Sequence, residues 1–403
     1  MVNYVFLSVY FYSVPNLRFS FEEDWCTSTI GENFRLSSGL TPSTKEKAYF
    51  NNGIIPWINS GELKNKYISF TENKLTLDAV KKHNLTIYPM DTMVIAIYGL
   101  EAAGVRGKAS ITKMDSTISQ SCMAFNSLGN VLTQFMYYVY KKEAQILGTR
   151  YAQGTKQQNL SSDLLSSYKL LYPSKEEQLK IVNFLSLIDE KIETQSKIID
   201  DYMTYRNAIV DYFFESLSSD WNRIKLSNIL KEYSELHVKD NSIVHATLSK
   251  EGIFPKTDRY DRDFLVKDED KKYKVTHLND ICYNPANLKF GVITRNTIGD
   301  CIISPIYVTF KIENGFLPKF VELLVTRKRF ISRARKYEQG TVYERMAVNS
   351  SDLLSMYVSI PSLNTQQTIV NIINNIDNKI SNEKELLKLY RAQKVYLLKN
   401  MFI

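Results

Sequence analysis

Two stretches of the chain carry apolar residues at alternating steps of four and three, the pattern of a long helix that packs on another helix. The first stretch follows Pro173 and the second follows Pro361, with equivalent positions about 188 residues apart. Because no glycine or proline interrupts them, we predict helices over 174–217 and 362–403, each roughly 60 Å long. The predicted seam residues are Ile181, Leu185, Ile188, Ile192, Ile199, Tyr202, Ile209, Phe213, Ile369, Ile373, Ile376, Ile380, Leu387, Tyr390, Leu397 and Met401.

Polar residues interrupt each seam twice, at Gln195 and Arg206 in the first helix and at Glu383 and Lys394 in the second. Polar seam residues commonly fix the register and pairing of two helices. We therefore expect a contact of Arg206 with Glu383 or of Lys394 with Gln195.

The start of each helix has a serine after a proline. Ser174 is followed three residues later by Glu177, which predicts a capping box. Ser362 opens the second helix in the same way, but Thr365 stands where the reciprocal glutamate would be.

The two halves resemble each other outside the helices as well. Tyr151-Ala-Gln-Gly-Thr returns as Tyr337-Glu-Gln-Gly-Thr, and the segment Ser-Ser-Asp-Leu-Leu-Ser occurs at both 161–166 and 350–355. A long internal repeat indicates one architectural unit used twice.

The repeat predicts four segments, which are a globular domain over 1–173, a helix over 174–217, a second globular domain over 218–361 and a helix over 362–403. Each helix leaves one globular domain, so we expect an antiparallel pair with one domain near each end and a pseudo-twofold axis between the halves. Apolar runs over 92–98 and 301–310 predict strands, and helical patterns precede each Tyr-x-Gln-Gly-Thr segment, over 130–147 and 317–336. The fold class expected is α+β.

Composition narrows the class of protein. The chain has 403 residues, a hydrophobic fraction of 44% and four cysteines without a Cys-x-x-Cys pair, which predicts a cytoplasmic protein with reduced thiols. The four histidines show no metal-ligand spacing with those cysteines, so we expect no zinc site. Residues 1–14 lack the charged start of a signal peptide and are too short to span a bilayer. We interpret them as a lead-in strand or as the result of an early start codon, and expect no membrane role.

The net charge of +8 resides in the two globular stretches, because the two helices nearly cancel each other. Positive charge on paired domains is typical of proteins that bind polyanions. Catalytic signatures are weak. Gly104-Val-Arg-Gly-Lys fails the Walker spacing, and Asn284-Pro-Ala-Asn lacks the second proline and the aromatic residue of amino-methylating DNA methyltransferases.

A cluster of cations precedes each Tyr-x-Gln-Gly-Thr segment. Such cations can hold phosphates while Tyr and Gln face base edges, although a solvated basic helix followed by a structural glycine turn would give the same pattern. The candidates in these clusters are Lys141, Lys142, Arg150, Tyr151 and Gln153 in the first half, and Arg327, Lys328, Arg333, Arg335, Lys336, Tyr337 and Gln339 in the second. Further polar loop candidates are Thr41, Ser43, Asn59, Arg106, Lys108, Gln120, Asn284, Asn287, Lys289, Arg295, Tyr343 and Arg345.

These segments resemble the specificity subunits of type I restriction–modification systems. The chain has a Pro15-Asn-Leu-Arg-Phe…Trp25 lead-in, Gly39-Leu-Thr-Pro-Ser and Ile55-Pro-Trp-Ile. Each half closes with a Pro…Gln…Ile…Asp…Ile series, and the last residues read Leu-Leu-Lys-Asn-Met-Phe. Residues 1–14 depart from the family pattern, and the second half has no Gly-x-Thr-Pro-Ser counterpart.

The resemblance implies two target recognition domains that read one split sequence on double-stranded DNA, held apart by the two helices. It also implies a non-catalytic chain with no cofactor of its own. Two modification subunits that use S-adenosylmethionine are expected to dock on the helices, and restriction subunits that use ATP and magnesium complete the complex.

Two alternatives from other classes remain open at this point. A coiled-coil scaffold that binds only proteins would use the same helices and would not be retained on duplex DNA at low salt. A self-sufficient methyltransferase or nuclease would bind S-adenosylmethionine or a metal by itself.

Overall fold

The computed structural model describes residues 14–100, 102, 104–152, 159–238, 242–256, 272–339 and 346–403. Two compact units make up the chain, one of Met1–Ser196 with Glu385–Ile403 and the other of Lys197–Lys384. Both units mix helices with strands, and both long helices are present, which confirms the α+β class with a two-domain repeat. Each long helix contributes residues to both units, so the predicted four-segment division stays a prediction.

The helices are α1 (Ile30–Asn33), α2 (Leu77–Lys82), α3 (Thr133–Ile146), α4 (Ser162–Ser166), α5 (Lys175–Ser216), α6 (Pro318–Thr326), α7 (Lys328–Ala334), α8 (Ser350–Ser355) and α9 (Leu363–Asn400). The strands of the first unit are β1 (Cys26–Thr29), β2 (Phe34–Ser38), β3 (Ile55–Ile58), β4 (Tyr67–Ile68), β5 (Lys74–Leu75), β6 (Met93–Ala96), β7 (Ala109–Thr112), β8 (Thr117–Ile118), β9 (Cys122–Ser127) and β10 (Lys169–Tyr172). Those of the second unit are β11 (Asn222–Lys225), β12 (Leu230–Tyr233), β13 (Leu236–Val238), β14 (Val244–Ser249), β15 (Gly252–Pro255), β16 (Lys272–Thr276), β17 (Ile281–Tyr283), β18 (Ile293–Arg295), β19 (Cys301–Ile303), β20 (Val308–Ile312) and β21 (Tyr357–Ile360).

Two sequence predictions of single elements were wrong. The apolar run over 301–310 forms two strands, β19 and β20, because Pro305 lies between them and cannot donate to a strand ladder. The helix expected over 317–336 is broken at Arg327, whose φ of −66° and ψ of 139° are extended rather than helical.

The main sheet of each unit has the same core of four antiparallel strands. In the first unit the order is β2-β9-β6-β7, with β4 added at the edge, and in the second it is β12-β20-β17-β18. The central strands are buried on both faces. A second sheet accompanies each of them, with order β5-β3-β8 in the first unit and a five-stranded order β13-β16-β19-β14-β15 in the second. The structural repeat therefore covers the domains as well as the helices.

A buried glutamine joins the long helix of each unit to the helix that covers the main sheet. Gln178 Oε1 accepts from the backbone N–H of Leu132 at 2.8 Å, at the start of α3. Gln366 Oε1 accepts from Leu317 at 3.0 Å, at the start of α6. Each side chain satisfies a helix-terminal N–H that would otherwise lack a partner, which gives the repeated Pro…Gln motif a structural role.

Three aromatic rings pack together in each unit. Trp25, Phe135 and Phe402 do so in the first unit, with centroid distances of 5.3–6.5 Å. The second unit has Phe214, Trp221 and Phe320 at 5.2–6.1 Å. One ring of each trio comes from the last residues of a long helix or from those just beyond it, so each trio anchors a helix terminus to its domain.

The long helices run antiparallel within each unit. In the first unit Asp189 of α5 pairs with Lys394 of α9 at 2.5 Å, and in the second Arg206 of α5 pairs with Asp377 of α9 at 2.5 Å. Each of the two polar seam cations thus pairs with an aspartate of the opposite helix. All the predicted seam residues are buried or partly buried.

The capping box predicted at α5 is only half formed. Ser174 Oγ accepts from the backbone N–H of Glu177 at 3.5 Å, as expected. The Glu177 carboxylate is fully buried, and Arg18 binds it at 2.8 Å with both Nε and Nη2. The bidentate ion pair replaces the reciprocal cap and raises the pKa of Arg18 through its hydrogen bond. It explains why the Pro-x-Leu-Arg-Phe lead-in accompanies the first helix.

Candidate nucleic-acid interface

Most of the polar candidates of the first unit lie at one end of its main sheet. Strands β2 and β6 finish at this end, where β9 begins, since Ser38 lies opposite Met123 and Ala96 opposite Cys122. The loops at this end contain Thr41, Ser43, Arg106, Lys108 and Gln120. Asn59 joins them because β3 runs parallel to β8, and the backbone N–H of Ser60 donates to Ser121 Oγ at 3.4 Å.

Of this group, we single out Gln120 as the residue whose side-chain amide could contact a base. The backbone N–H of Gln120 donates to Thr41 Oγ1 at 3.1 Å, which fixes the loop. Within the described part of the chain, the Gln120 side chain makes no hydrogen bond and is exposed. Asn59 Oδ1, by contrast, already accepts from Gly61 at 2.8 Å.

The loop between β6 and β7 packs against the terminus of α3. Arg106 Nε donates to the carbonyl of Leu100 at 2.7 Å, and a Cβ added to Gly148 would lie 2.8 Å from Arg106 Cγ. A side chain larger than glycine at 148 would displace Arg106. Lys108, which is partly exposed, and Arg150, which is exposed, follow on this surface.

Two of the predicted cations have structural roles instead. Lys141 Nζ donates to the carbonyl of Gly107 at 2.5 Å, and burial lowers the pKa of Lys141 to about 8. Lys142 pairs with Glu143 at 2.9 Å and donates to the carbonyl of Ile403 at 2.7 Å. Tyr151 packs its ring edge-on against Tyr168 at 5.4 Å. We therefore remove Lys141 and Lys142 from the interface, because their ammonium groups are used inside the unit.

Lys141 belongs to a polar network around Asp189. Lys66 Nζ donates to Tyr138 Oη at 2.8 Å and to Ser186 Oγ at 2.7 Å, and the Tyr138 hydroxyl donates to Asp189 at 2.6 Å. Burial lowers the pKa of Lys66 to about 8, an effect that Asp189 only partly offsets. Lys394 also pairs with Asp189, so two lysines share this carboxylate, and its charge also acts on Lys141 at longer range.

This network makes stability depend on pH. Below about pH 8 Lys66 is charged in both states and the cost of its burial is felt in full. Between about pH 8 and its ordinary pKa of 10.5 the folded chain releases a proton that the unfolded chain retains, so the free energy of unfolding rises with pH. Relative to the Lys66→Met variant, the wild type should gain about 1–2 kcal/mol between pH 8 and pH 9.5. Urea denaturation at both pH values measures this; a parallel pH dependence of the two proteins would contradict it.

The second unit has an equivalent polar end. Strand β17 finishes there beside the starts of β18 and β20, since Tyr283 lies opposite both Ile293 and Val308. The turn that follows β17 carries Asn284, Asn287 and Lys289. Asn284 is buried and its Oδ1 caps the turn by accepting from Ala286 at 3.1 Å.

In this unit, the candidate amide for contacting a base is the side chain of Asn287. Its backbone N–H donates to the carbonyl of Asn284 at 3.1 Å, and its side-chain amide has no hydrogen-bond partner among the described residues. Lys289 is exposed, with its ammonium 5.2 Å from the ring centroid of Phe290. The two sheet ends therefore each present one unengaged amide beside a cation.

Arg295 lies at the opposite end of the sheet. It faces Ile281, the first residue of β17, and bonds Asn279 at 2.6 Å and Glu322 at 3.1 Å. Since both partners are internal to the unit, we remove Arg295 from the interface.

In the second unit, some of the predicted cations contact other groups of the fold and others are exposed. Arg327 is half buried, with its guanidinium carbon 4.0 Å from the ring centroid of Phe214, and Arg333 donates to the carbonyl of Tyr357 at 2.8 Å. Lys328, Arg335, Lys336 and Tyr337 are exposed, although Arg335 pairs with Glu338 at 3.4 Å. The side-chain amide of Gln339 donates to the Asp352 carboxylate at 2.9 Å. The backbone of Gln339 pairs with that of Ala347, and the N–H of the next residue, Val348, donates to the carbonyl of Pro285 at the polar end. Gln153, Tyr343 and Arg345 lie outside the described residues.

Exposed apolar side chains at both polar ends were missed by sequence reasoning. They are Leu40 and Tyr98 in the first unit, and Phe290 and Ile306 in the second, with exposed fractions from 37% to 65%. Each of the four stands next to a glycine or a proline in the sequence, which was the available signal. Side chains of this kind can contact thymine methyl groups or stack on bases.

A family model for the type I restriction modification DNA specificity domain matches residues 22–201 and 270–389, most of the chain. The chain belongs to this family. Its members are DNA-recognition components rather than catalytic ones, and the relatives of this chain are named specificity subunits.

One relative matches this chain over nearly its full length, and a second matches about half of it. The specificity subunit of the type I restriction enzyme MjaIX of Methanocaldococcus jannaschii is 24% identical over 416 residues, covering 94% of this chain and 93% of the relative. The EcoR124I/EcoR124II specificity subunit of Escherichia coli is 25% identical over 199 residues, covering 49% of this chain and 48% of the relative.

Two solved structures share the fold. The S subunit of a type I restriction-modification system from M. genitalium has a TM-score of 0.54 at 17% identity, covering 97% of this chain and 99% of that one. A chain from a study of complex assembly and conformational transition in a type I R-M system has a TM-score of 0.60 at 10% identity, covering 94% and 97%.

The described part of this specificity subunit contains no group of three or more His, Cys, Asp or Glu side chains placed to hold a metal ion. None of its described helices is both long and apolar enough to cross a lipid bilayer.

Proposed function

We propose that each unit of this specificity subunit reads its own short stretch of duplex DNA with the polar end of its main sheet. The observation that carries the proposal is the unengaged amide at each end, Gln120 in one unit and Asn287 in the other. Glutamine and asparagine can bind the N6 and N7 edge of adenine with two hydrogen bonds in the major groove. Two such surfaces on one chain would read a split sequence.

Neighbouring cations supply the affinity in this proposal. Lys108 and Arg150 flank the first polar end, and Lys289 and Lys336 are exposed in the second unit. Lysine and arginine that neutralise phosphates release counterions, so binding weakens linearly with the logarithm of salt concentration. These contacts position the protein without selecting a sequence.

Retention on duplex DNA tests the proposal against a protein-only scaffold. We expect the full chain to bind a random duplex at low salt, with an affinity that falls by about 10³ or more between 50 and 200 mM salt if about six phosphates are contacted. A fluorescence titration over that salt series measures both quantities. No binding at the lowest salt would refute the proposal and favour the scaffold.

The partner proposal rests on exposed apolar residues along the long helices. A groove of about 460 Å³ in the first unit is lined by Phe184, Leu187, Ile188 and Tyr390, and Leu187 is 57% exposed. We propose that modification subunits, two per complex, dock along these helices and that restriction subunits join them. The S-adenosylmethionine, ATP and magnesium chemistry would then reside in the partners.

A charged residue in the groove should weaken docking. Leu187→Glu places a carboxylate on an apolar contact and should reduce affinity for the modification subunit about tenfold or more. Thr204→Glu, at an exposed polar position of the same helix outside the groove, is the control. Co-purification followed by calorimetry measures the difference; equal loss in both variants, or none, would rule out the groove.

A further inference from the structure

The second unit contains a cavity that is lined by more cationic than anionic side chains. It has a volume of about 360 Å³ and lies between α6, α7, β21 and the terminus of α5. Three arginines line it, Arg327, Arg329 and Arg333, together with one carboxylate, Glu215. We propose that this cavity binds a phosphate group.

Arg327 is the central side chain of this site. Its guanidinium carbon lies 4.0 Å from the ring centroid of Phe214, and its Nε donates to the carbonyl of Leu324 at 3.4 Å. Burial lowers the pKa of Arg327 to about 10, and no carboxylate among the described residues bonds to it; Asp211 and Glu215 act only at longer range. An arginine removed from water without a bonded anion is costly, and an oxyanion in the cavity would offset that cost.

The remaining lining groups complete an oxyanion site. Arg329 pairs with Glu215 at 2.7 Å at the rim and is 65% exposed. Arg333 uses one Nη2 hydrogen bond on the carbonyl of Tyr357, which leaves other N–H groups free to donate. The hydroxyl groups of Ser218 and Ser359 also line the cavity and make no hydrogen bond to described residues. Arginine forks and hydroxyls are the donors that suit phosphate oxygens.

The corresponding cavity of the first unit lacks this surplus of arginine. Its volume is about 470 Å³, and it lies between α3, β10 and the residues after α9. There Lys142 pairs with Glu143 at 2.9 Å, and the Tyr168 hydroxyl donates to the same carboxylate group at 2.8 Å. The equivalent place in the repeat therefore serves as an internal comparison, and the phosphate site is specific to the second unit.

The phosphate group could belong to the DNA backbone or to a free phosphate. Both present the same oxygens to Arg327 and Arg333. Binding in the cavity does not require base reading at the sheet ends, because none of the cavity residues lies in the turns that carry Gln120 or Asn287.

Calorimetric titration of the full chain with inorganic phosphate, at ionic strength held constant with sodium chloride, tests the site. We expect saturable binding of one phosphate per chain. Arg327→Met keeps the packing on Phe214 and should weaken phosphate binding about 10- to 100-fold, since hydrogen bonds to charged groups are lost. Arg333→Gln changes an exposed side chain, so it should fold normally and weaken binding about tenfold. Lys328→Gln removes one charge from the same helix outside the cavity and should change affinity less than about twofold.

A duplex titration of the same variants identifies the source of the phosphate. If DNA supplies it, inorganic phosphate competes with duplex, and Arg327→Met lowers the slope of the salt dependence by about one. If a free phosphate occupies the site, Arg327→Met binds duplex like the parent while losing phosphate binding. Phosphate binding without any duplex binding would refute the proposed function and leave the cavity site standing. The site is refuted if wild type shows no saturable phosphate binding, or if Lys328→Gln loses as much affinity as Arg327→Met.

Discussion

Replacing Phe320 with alanine should lower the free energy of unfolding by about 3–5 kcal/mol, the cost of truncating a fully buried aromatic side chain. Phe320 is fully buried, and its ring is 5.2 Å from Phe214 and 6.1 Å from Trp221. The substitution therefore removes one ring of the trio that anchors the terminus of α5. Because the first unit repeats this packing, Phe135→Ala should cost a similar amount.

Urea denaturation of both variants measures the effect. Phe290→Ala provides the matched control, since Phe290 is 65% exposed and its loss should change stability by less than about 0.5 kcal/mol. A loss below about 1 kcal/mol for Phe320→Ala would show that the trio does not bear on the stability of the unit.

The second large effect concerns discrimination between DNA sequences. The double variant Gln120→Ala with Asn287→Ala should lose about 2–6 kcal/mol of preference for the cognate duplex over a random one, because each bidentate amide–adenine contact contributes about 1–3 kcal/mol. Affinity for random duplex should stay nearly constant, since neither side chain carries charge. Competition titrations with cognate and random duplex separate these two quantities.

The matched control is a single amide that lies away from both polar ends. Asn228→Ala changes an exposed amide beside a short turn, away from the polar end, and should leave discrimination unchanged. Lys289→Gln should do the reverse of the double variant, weakening binding to all duplexes and reducing its salt dependence. Equal loss on cognate and random duplex for the double variant would contradict base reading by these amides.

The long helices were predictable because their signal is local. Steps of four and three from Ile181 and from Ile369 identify both helices, and the serines before them mark their starts to within a residue. Long-range partners were not predictable in this way. Arg18 and Glu177 are 159 positions apart, so a capping box was the natural local interpretation of a glutamate whose partner lies in the lead-in.

The structural repeat extends further along the chain than the sequence similarity between the two halves. Met93 and Ile281 open equivalent central strands, yet the loops that follow differ, with a segment of 97–108 in one unit and 284–292 in the other. A sheet tolerates exchange among apolar residues as long as they stay buried, so strand order is retained when sequence similarity is lost.

The sequence was enough to name candidate residues of the site, but not to show which of them share a surface. Gln120 and Asn287 stood among many polar loop residues, and only the strand pairing brings them to equivalent sheet ends. Charge in the sequence also does not tell which face a side chain takes, which is why Lys141 and Arg327 were grouped with exposed cations although both are partly buried.

A binding selection from a random duplex library tests the central claim most directly, using the full chain with and without its modification subunits. Two separate reading surfaces predict an enriched motif of two short stretches divided by unread bases. Gln120→Ala should relax one stretch and Asn287→Ala only the other. A single uninterrupted motif, or two variants that relax the same stretch, would show that the two units do not read DNA independently.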